Sequence, residues 1–291
     1  MMKRIITVLL LLCPLSLFAQ GGADALPFVR TDFGPSLTGT AGACVASSEL
    51  GVWGAFRGAA AMAFPGSRQG VAGEFRTSAG NPGFSAAGMA KLMNKIGVGV
   101  GVSYLGGEEF GDYRSHDILL SSGFAYSITE NLAVGLNARF AKQFLTESIS
   151  YQGAGIDINV LAKVSYAITA TAGLSAVGSS VVSATGTKYS QPANVYAGAE
   201  YVIGFDSNKL ALDAMAEYYF SGNFGAALGA AFTYEEMVTL RAGYRYATEW
   251  CVLPSHFAAG LEGRFHGFSV NVSFAKLPSS NIICVGAGFS F

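Results

Sequence analysis

Charge is what this chain has least of. Asp, Glu, Lys and Arg make up 13% of its 291 residues, with a net charge of −1. That is about half the usual share of charge. With 51% hydrophobic residues, the chain cannot cover itself with charge as a soluble domain does. Disorder is excluded as well, because disordered chains are rich in charge and poor in aromatics, and 12% of these residues are aromatic. There is no basic field, so no nucleic-acid partner is expected. Long apolar runs are missing from the body of the chain. The one long uncharged window, 164–187, is diluted by Ser, Thr and Gly, and it lacks the sustained apolar run that a spanning helix needs. Cysteine is scarce: beyond Cys13 in the leading segment, Cys44, Cys251 and Cys284 are odd in number and far apart, so no disulfide framework is implied. No metal-ligand spacing occurs, and no cofactor is expected.

What is present begins with "MMKRIITVLLLLCPLSLFAQ". Lys3 and Arg4 precede an apolar stretch from Ile5 to Leu12, and Ser16, Phe18 and Ala19 lie near the end. This is the layout of a secretory signal peptide over 1–20, cut after Ala19 or Gln20. A lipoprotein signal at Cys13 fits poorly, since Pro14 follows it and no small residue precedes it. In lipid every backbone group must be paired internally, so only helices and closed barrels cross. A secreted chain too apolar for water and without a spanning helix points to a barrel.

The period supports that reading. In "NLAVGLNARFAK", Leu132, Val134, Leu136, Ala138 and Phe140 share one face, while Gly135, Asn137 and Arg139 share the other. "MVTLRAGYRY" repeats the pattern: Val238, Leu240, Ala242, Tyr244 and Tyr246 stand against Thr239, Arg241, Gly243 and Arg245. A step of two winds around a helix and stays on one face of a strand. A sandwich would alternate too, but scarce charge and segments of about ten residues suit membrane strands better. Short turns such as 129–131, 235–236 and 266–267 alternate with longer connections at 106–115, 143–154, 182–193 and 248–255. Outer-membrane barrels pair short periplasmic turns with longer outer loops. Tyr126, Tyr166, Tyr201, Tyr234 and Phe265 each precede a short turn, where an aromatic girdle belongs. Counting segments gives fourteen strands, with twelve as the alternative. The expectation is an all-β transmembrane antiparallel barrel over 67–291, in the bacterial outer membrane, with both termini periplasmic and outer-membrane lipid around it. On the last segment Ile283, Val285, Ala287, Phe289 and Phe291 share the lipid face. The terminal Phe291 resembles the C-terminal signature read by the barrel-assembly machinery, which makes that machinery an expected partner.

Residues 21–66 are Gly-, Ala- and Ser-rich and do not alternate. Trp53, Phe56 and Ala60 would share a helix face near 50–63, with Glu49 at its positive end. A fourteen-strand barrel is wider than side chains alone can fill, so this segment is expected to plug it, keeping Phe28, Phe33, Val45, Trp53 and Phe56 dry. The inward strand positions carry mixed charge: Arg139, Lys163, Asp213, Glu217, Arg241, Arg245, Glu262 and Arg264 are expected to line the lumen and hold the plug.

The segment "PFVRTDFGPSLTGTAGACVASS…VWGAFRGAAAMAF" resembles the N-terminal region of the PorV/PorQ family of outer-membrane proteins, relatives of the FadL-type transporters of hydrophobic compounds. Pro27–Arg30 match the family's opening, and Gly39–Ser47 match its small-residue stretch. Ala55–Phe64 stand in place of an Asn-Pro-Ala-Gly-Leu-Ala motif, with Gly58-Ala59 where Asn-Pro is expected. The resemblance implies a non-enzymatic barrel that serves protein secretion as an accessory or shuttle, with secretion-system components as partners. The alternative it implies is a transporter for hydrophobic or amphipathic small molecules, with such a compound as ligand. A hydrolase reading is weak: nucleophilic catalysis needs a base beside the serine, and Ser255 and His256, as sequence neighbours on a strand, point to opposite faces.

Overall fold

The computed structural model describes residues 24–110, 113–182 and 186–291. The signal segment 1–20 and residues 21–23 lie outside this range. Fourteen antiparallel strands close into a barrel. They are β1 (Gly70–Ser78), β2 (Asn81–Leu92), β3 (Ile96–Phe110), β4 (Tyr113–Thr129), β5 (Leu132–Phe144), β6 (Ser150–Lys163), β7 (Ile168–Gly178), β10 (Asn194–Phe205), β11 (Asn208–Tyr219), β12 (Phe224–Tyr234), β13 (Val238–Ala247), β14 (His256–Phe265), β15 (Phe268–Lys276) and β16 (Asn281–Ser290). A small hairpin of β8 (Val181–Val182) and β9 (Lys188–Tyr189) stands apart in the connection after β7. Pairing of β1 with β16 seals the seam from Gly70↔Ser290 to Ser78↔Ile282. No lateral edge is left unpaired, as a lipid solvent requires.

The alternation read from the sequence is the inside–outside alternation of the wall. Leu136, Phe140, Leu240, Tyr244 and Val272 are exposed on the outer surface, while Asn137, Arg139, Arg241 and Asn271 are buried in the lumen. Tyr126, Tyr166, Tyr201, Tyr234 and Phe265 form an exposed ring at the rim of short turns, and Phe291 joins them there. Non-glycine residues adopt the left-handed conformation in several of these turns, Glu235 (φ 46) and Glu236 (φ 57) among them. Tight turns of this hand match the twist of the strands they join.

Some strands run further than the hydropathy suggested. The stretch 106–115, expected as a loop, is mostly ladder: β3 extends to Phe110 and β4 starts at Tyr113, with an irregularity between Gly106 and Glu109. The expected loop 143–154 shrinks to a connection at 145–149. Glu108, Glu109 and Arg114 break the apolar pattern, but charge marks only where lipid ends. Cross-strand hydrogen bonds continue into water.

Ahead of the barrel, a short 310 helix (Pro27–Arg30), α1 (Pro35–Gly39), a second 310 segment (Ser48–Ala55) and α2 (Ala60–Ala63) fill the lumen. The single helix expected near 50–63 is broken. Gly51 has φ 51 and ψ −127 inside the second 310 segment, and Gly58 turns the chain at φ 77. Both glycines occupy backbone regions that cost other residues strain. Trp53 and Phe56 still stack, with centroids 6.1 Å apart, and Phe33 lies on Phe56 at 4.3 Å.

The last residue and the first described residue, Asp24, lie at different rims. The Phe291 amide donates to the Gln69 carbonyl at 3.0 Å at the short-turn rim. Asp24 accepts from Ser221 Oγ at 3.1 Å in the β11–β12 connection at the other rim, and the Ala25 amide donates to Ser190 O at 2.8 Å. The plug segment runs from that rim through the lumen to the short-turn rim, where β1 begins and β16 ends side by side.

Candidate functional site

The site is the lumen itself, built from inward wall positions and the plug they hold. Its polar centre is Glu217 on β11. Arg30 Nη2 donates to Glu217 Oε2 at 2.5 Å, and Arg57 Nη2 approaches the same oxygen at 3.4 Å. Arg245 pairs with the other carboxylate oxygen, which also accepts from the Tyr219 hydroxyl at 2.7 Å. Arg57 Nη1 reaches Asp32 at 3.3 Å. Three guanidiniums thus share two carboxylates, all of them almost fully buried. Buried charge is tolerable only when paired and hydrogen-bonded, so this cluster fixes where the plug must sit.

A second tie lies on β5 and β6, three to four strands round from β11. Arg139 pairs with Asp157, donates from Nη1 to Val29 O at 2.7 Å, and donates from Nη2 to Ser175 Oγ at 2.9 Å. Asp157 also accepts from the Ala176 amide at 2.7 Å, where the β6–β7 register shifts. On β13 and β14, Arg241 pairs with Glu262 at 2.7 Å. Arg264 donates to Glu262 at 2.6 Å and reaches Glu49 of the plug at 3.4 Å, and Lys209 also pairs with Glu49. Burial alone would raise the Glu49 carboxyl, but Lys209 and Arg264 pull it down to about 2.

Neutral contacts seat the rest. Asn137 Nδ2 donates to Gly54 O at 2.9 Å and Ala55 O at 2.8 Å, while its Oδ1 accepts from the Ala59 amide at 3.3 Å. Asn159 Oδ1 accepts from the Ala60 amide at 3.1 Å, and Ser121 Oγ donates to Ala55 O at 2.6 Å. These wall side chains satisfy orphan backbone groups at the end of the second 310 segment and the start of α2, as caps do. Wall glycines make the room: a Cβ at Gly101 would meet the Phe56 ring at 2.7 Å, and one at Gly135 would meet the Ala60 nitrogen at 2.1 Å.

Of the eight lumen residues expected from the sequence, Arg139, Glu217, Arg245 and Arg264 contact the plug segment or a residue bound to it, and Arg241 and Glu262 support Arg264 from behind. Asp213 is buried opposite Glu200 and, among the described residues, makes no hydrogen bond to the plug. Lys163 does not hold the plug. It is inward by parity but ends β6 at the short-turn rim, where it is exposed and its ammonium lies 5.6 Å from the Tyr166 ring centroid. The sequence reading missed the plug side of the central tie: Arg30, Asp32 and Arg57 lie in a segment with no period to mark their direction. Asn137 and Asn159 could have been found as amides on otherwise small inward faces.

At the long-connection rim the plug leaves a cavity of about 230 Å³. Leu105, Leu253, Leu277 and Ile282 form its apolar walls, with Arg76, Asp32, Asp117 and His256 as its polar elements. The Arg76 guanidinium lies 5.3 Å from the Phe33 ring, donates to Asp32 O at 2.6 Å and to Glu74 at 2.9 Å, and leaves Nε unpaired. The size falls below that of drug-sized pockets, which restricts it to small molecules. Ser255 and His256 beside it form no nucleophile–base pair: Ser255 Oγ accepts from the Ala247 amide at 2.9 Å, and His256 Nδ1 lies 2.8 Å from Pro254 O. Among the described residues, no group of three or more His, Cys, Asp or Glu side chains is placed to hold a metal ion.

No protein-family model matches the chain, and no curated protein matches it. Solved structures do. The chain is similar to the Pseudomonas putida toluene transporter TodX at 15% identity and a TM-score of 0.67, covering 92% of this chain and 98% of that one. It is similar to the Ralstonia pickettii toluene transporter TbuX at 12% identity and a TM-score of 0.64, covering 89% and 97%. A Pseudomonas aeruginosa FadL homologue aligns at 10% identity and a TM-score of 0.60, covering 89% and 98%. At such identities the likeness is one of fold: the chain has a FadL-like barrel.

Proposed function

We propose that this protein is an outer-membrane transporter that admits small hydrophobic molecules, without catalysis, through the vestibule at its long-connection rim. The observation that carries this reading is the vestibule itself. Apolar walls with a few fixed polar groups open at one mouth of a lumen that the plug segment occupies. Short turns face the periplasm in barrels of this kind, so the vestibule faces outward. A water-filled porin would have an open lumen, whereas here the plug blocks bulk water and small polar solutes. The proteins with which the barrel shares its fold include toluene transporters, which supports a small hydrophobic solute of similar size. The secretion-accessory role implied by the PorV/PorQ resemblance draws no support from those matches, and transport is the better-supported reading.

The test is uptake by cells whose outer membrane is the barrier, with and without the protein. A small aromatic hydrocarbon should enter faster when the barrel is present, and glucose should not. Leu253→Arg, which places a long charged side chain in the vestibule wall, should abolish the gain. Equal uptake with and without the barrel would overturn the proposal.

A further inference from the structure

On the outer surface, at the long-connection rim, four side chains from adjacent strands form one cluster. The His116 ring stacks on Phe144 with centroids 4.5 Å apart and on Tyr104 at 5.5 Å. Lys142 Nζ lies 4.6 Å from the Phe144 ring centroid. Strand register explains the meeting: His116 is opposite Phe144, and Ile118 is opposite both Tyr104 and Lys142. Parity places all four on the lipid side. His116 is even-numbered on β4 like the exposed Leu120, Phe124 and Tyr126, whereas Leu119 and Ala125 are buried.

The level of the cluster follows from strand geometry. Ten residues separate Tyr126, in the girdle of the short-turn rim, from His116. At roughly 3.3 Å per residue and a tilt of about 40°, this is a height of about 25 Å, which matches the apolar band of an outer-membrane barrel. The cluster therefore stands where acyl chains give way to headgroups. Below it Val102, Leu120 and Phe140 offer an apolar surface. Lys142 Nζ has neither a carboxylate nor a hydrogen-bond acceptor among the described residues, and His116 spends only Nδ1, 3.3 Å from Arg114 O. A lysine on an exposed wall is normally free to wander. Here the Phe144 ring, stacked with the His116 imidazole, also holds the ammonium, so one cationic donor stands ready at this height.

We propose that Lys142, positioned by the stacked rings of Phe144 and His116, docks the phosphorylated headgroup of an outer-leaflet lipid, with its acyl chain lying over Leu120 and Phe140. Phosphate suits a lysine as a compact charge, and basic side chains at membrane interfaces recognise anionic headgroups. The proposal does not depend on transport, since the surface lies outside the lumen, and loss of uptake activity would leave it intact.

The experiment is native mass spectrometry of the purified barrel after incubation in mixed micelles of phosphatidylcholine and bisphosphorylated lipid A. Wild type should retain lipid A in preference to phosphatidylcholine. Lys142→Ala should lose about five-fold in retention. Lys142→Arg should retain it. Lys142→Met, which keeps the stem and the outer packing, should lose it too and serves if the alanine variant does not fold; heat-modified migration on gels reports folding. Lys276→Ala, at the end of β15 and five strands round the barrel from β4, should change nothing. Equal retention by wild type and Lys142→Met, or an equal loss in Lys276→Ala, would overturn the site. Displacement of the lipid by millimolar inorganic phosphate would overturn lipid docking in favour of a free-anion site.

Discussion

Arg30 and Glu217 lie 187 positions apart in the chain and meet at 2.5 Å inside the barrel. One belongs to the plug and the other to the wall. Arg57 and Arg245 converge on the same carboxylate, so Glu217 is where the plug is tied to the barrel electrostatically.

Replacing Glu217 with Ala therefore leaves three buried arginines facing one another with only Asp32 to offset them. Breaking a buried pair by removing one partner costs about 3–5 kcal/mol. The barrel wall is held by its own ladders, so the loss should fall on the plug. Hydrogen exchange should show residues 27–63 deprotected while the strands stay protected, and planar-bilayer recordings should show conductance where wild type is quiet. Unchanged protection of the plug would refute the assigned role of Glu217.

Gly135→Ala tests steric seating without touching a charge. A Cβ there would be 2.1 Å from the Ala60 nitrogen and 2.7 Å from Asn159 Oδ1. Backbone cannot rotate aside as a side chain can, so α2 must move. Exchange at 58–64 should rise and conductance with it. Gly204→Ala, with nothing within 4 Å of its added Cβ, should leave both unchanged.

The pH dependence of the inner latch follows from Glu49, whose carboxyl in the fold is pulled from 4.5 to about 2 by Lys209 and Arg264 against the effect of burial. A depressed carboxyl contributes stability that is present above its unfolded value and lost as pH falls through the folded one. The latch should therefore hold above about pH 4.5 and fail towards pH 2. Trp53, buried four residues on, reports it: its emission should shift to the red over that range. In Glu49→Gln the shift between pH 4.5 and 2 should vanish, and its persistence would rule out the latch.

At the opposite rim the sign reverses. Burial raises Asp24 to about 6, against the Ser221 hydrogen bond that lowers it. The charged form is disfavoured in the fold, so docking of the segment is unpenalised near pH 4 and weakens as pH rises to about 6. Limited proteolysis ahead of Leu26 should be slower at pH 5 than at pH 8. Asp24→Asn should erase the difference, and a difference that survives in this variant would exclude Asp24 as its cause.

The sequence by itself determined the barrel. Lipid demands that every strand present one apolar face, and that demand is local: Leu132 to Phe140 or Val238 to Tyr246 reveals it without knowledge of any other segment. Strand number followed, because turns interrupt the period visibly, and so did the girdle that includes Tyr126 and Phe265. Parity also named the inward residues, Arg139, Glu217, Arg241 and Arg245 among them. Only the tertiary structure decided what those residues meet. Alternation gives the side of a wall but neither height nor azimuth, so Lys163 reads like Arg139 yet ends at the rim, exposed, beside Tyr166. The plug has no period at all: the positions of Arg30, Asp32 and Arg57 are set by the charges waiting for them on β11 and β13, and those partners are brought within reach only when the cylinder closes.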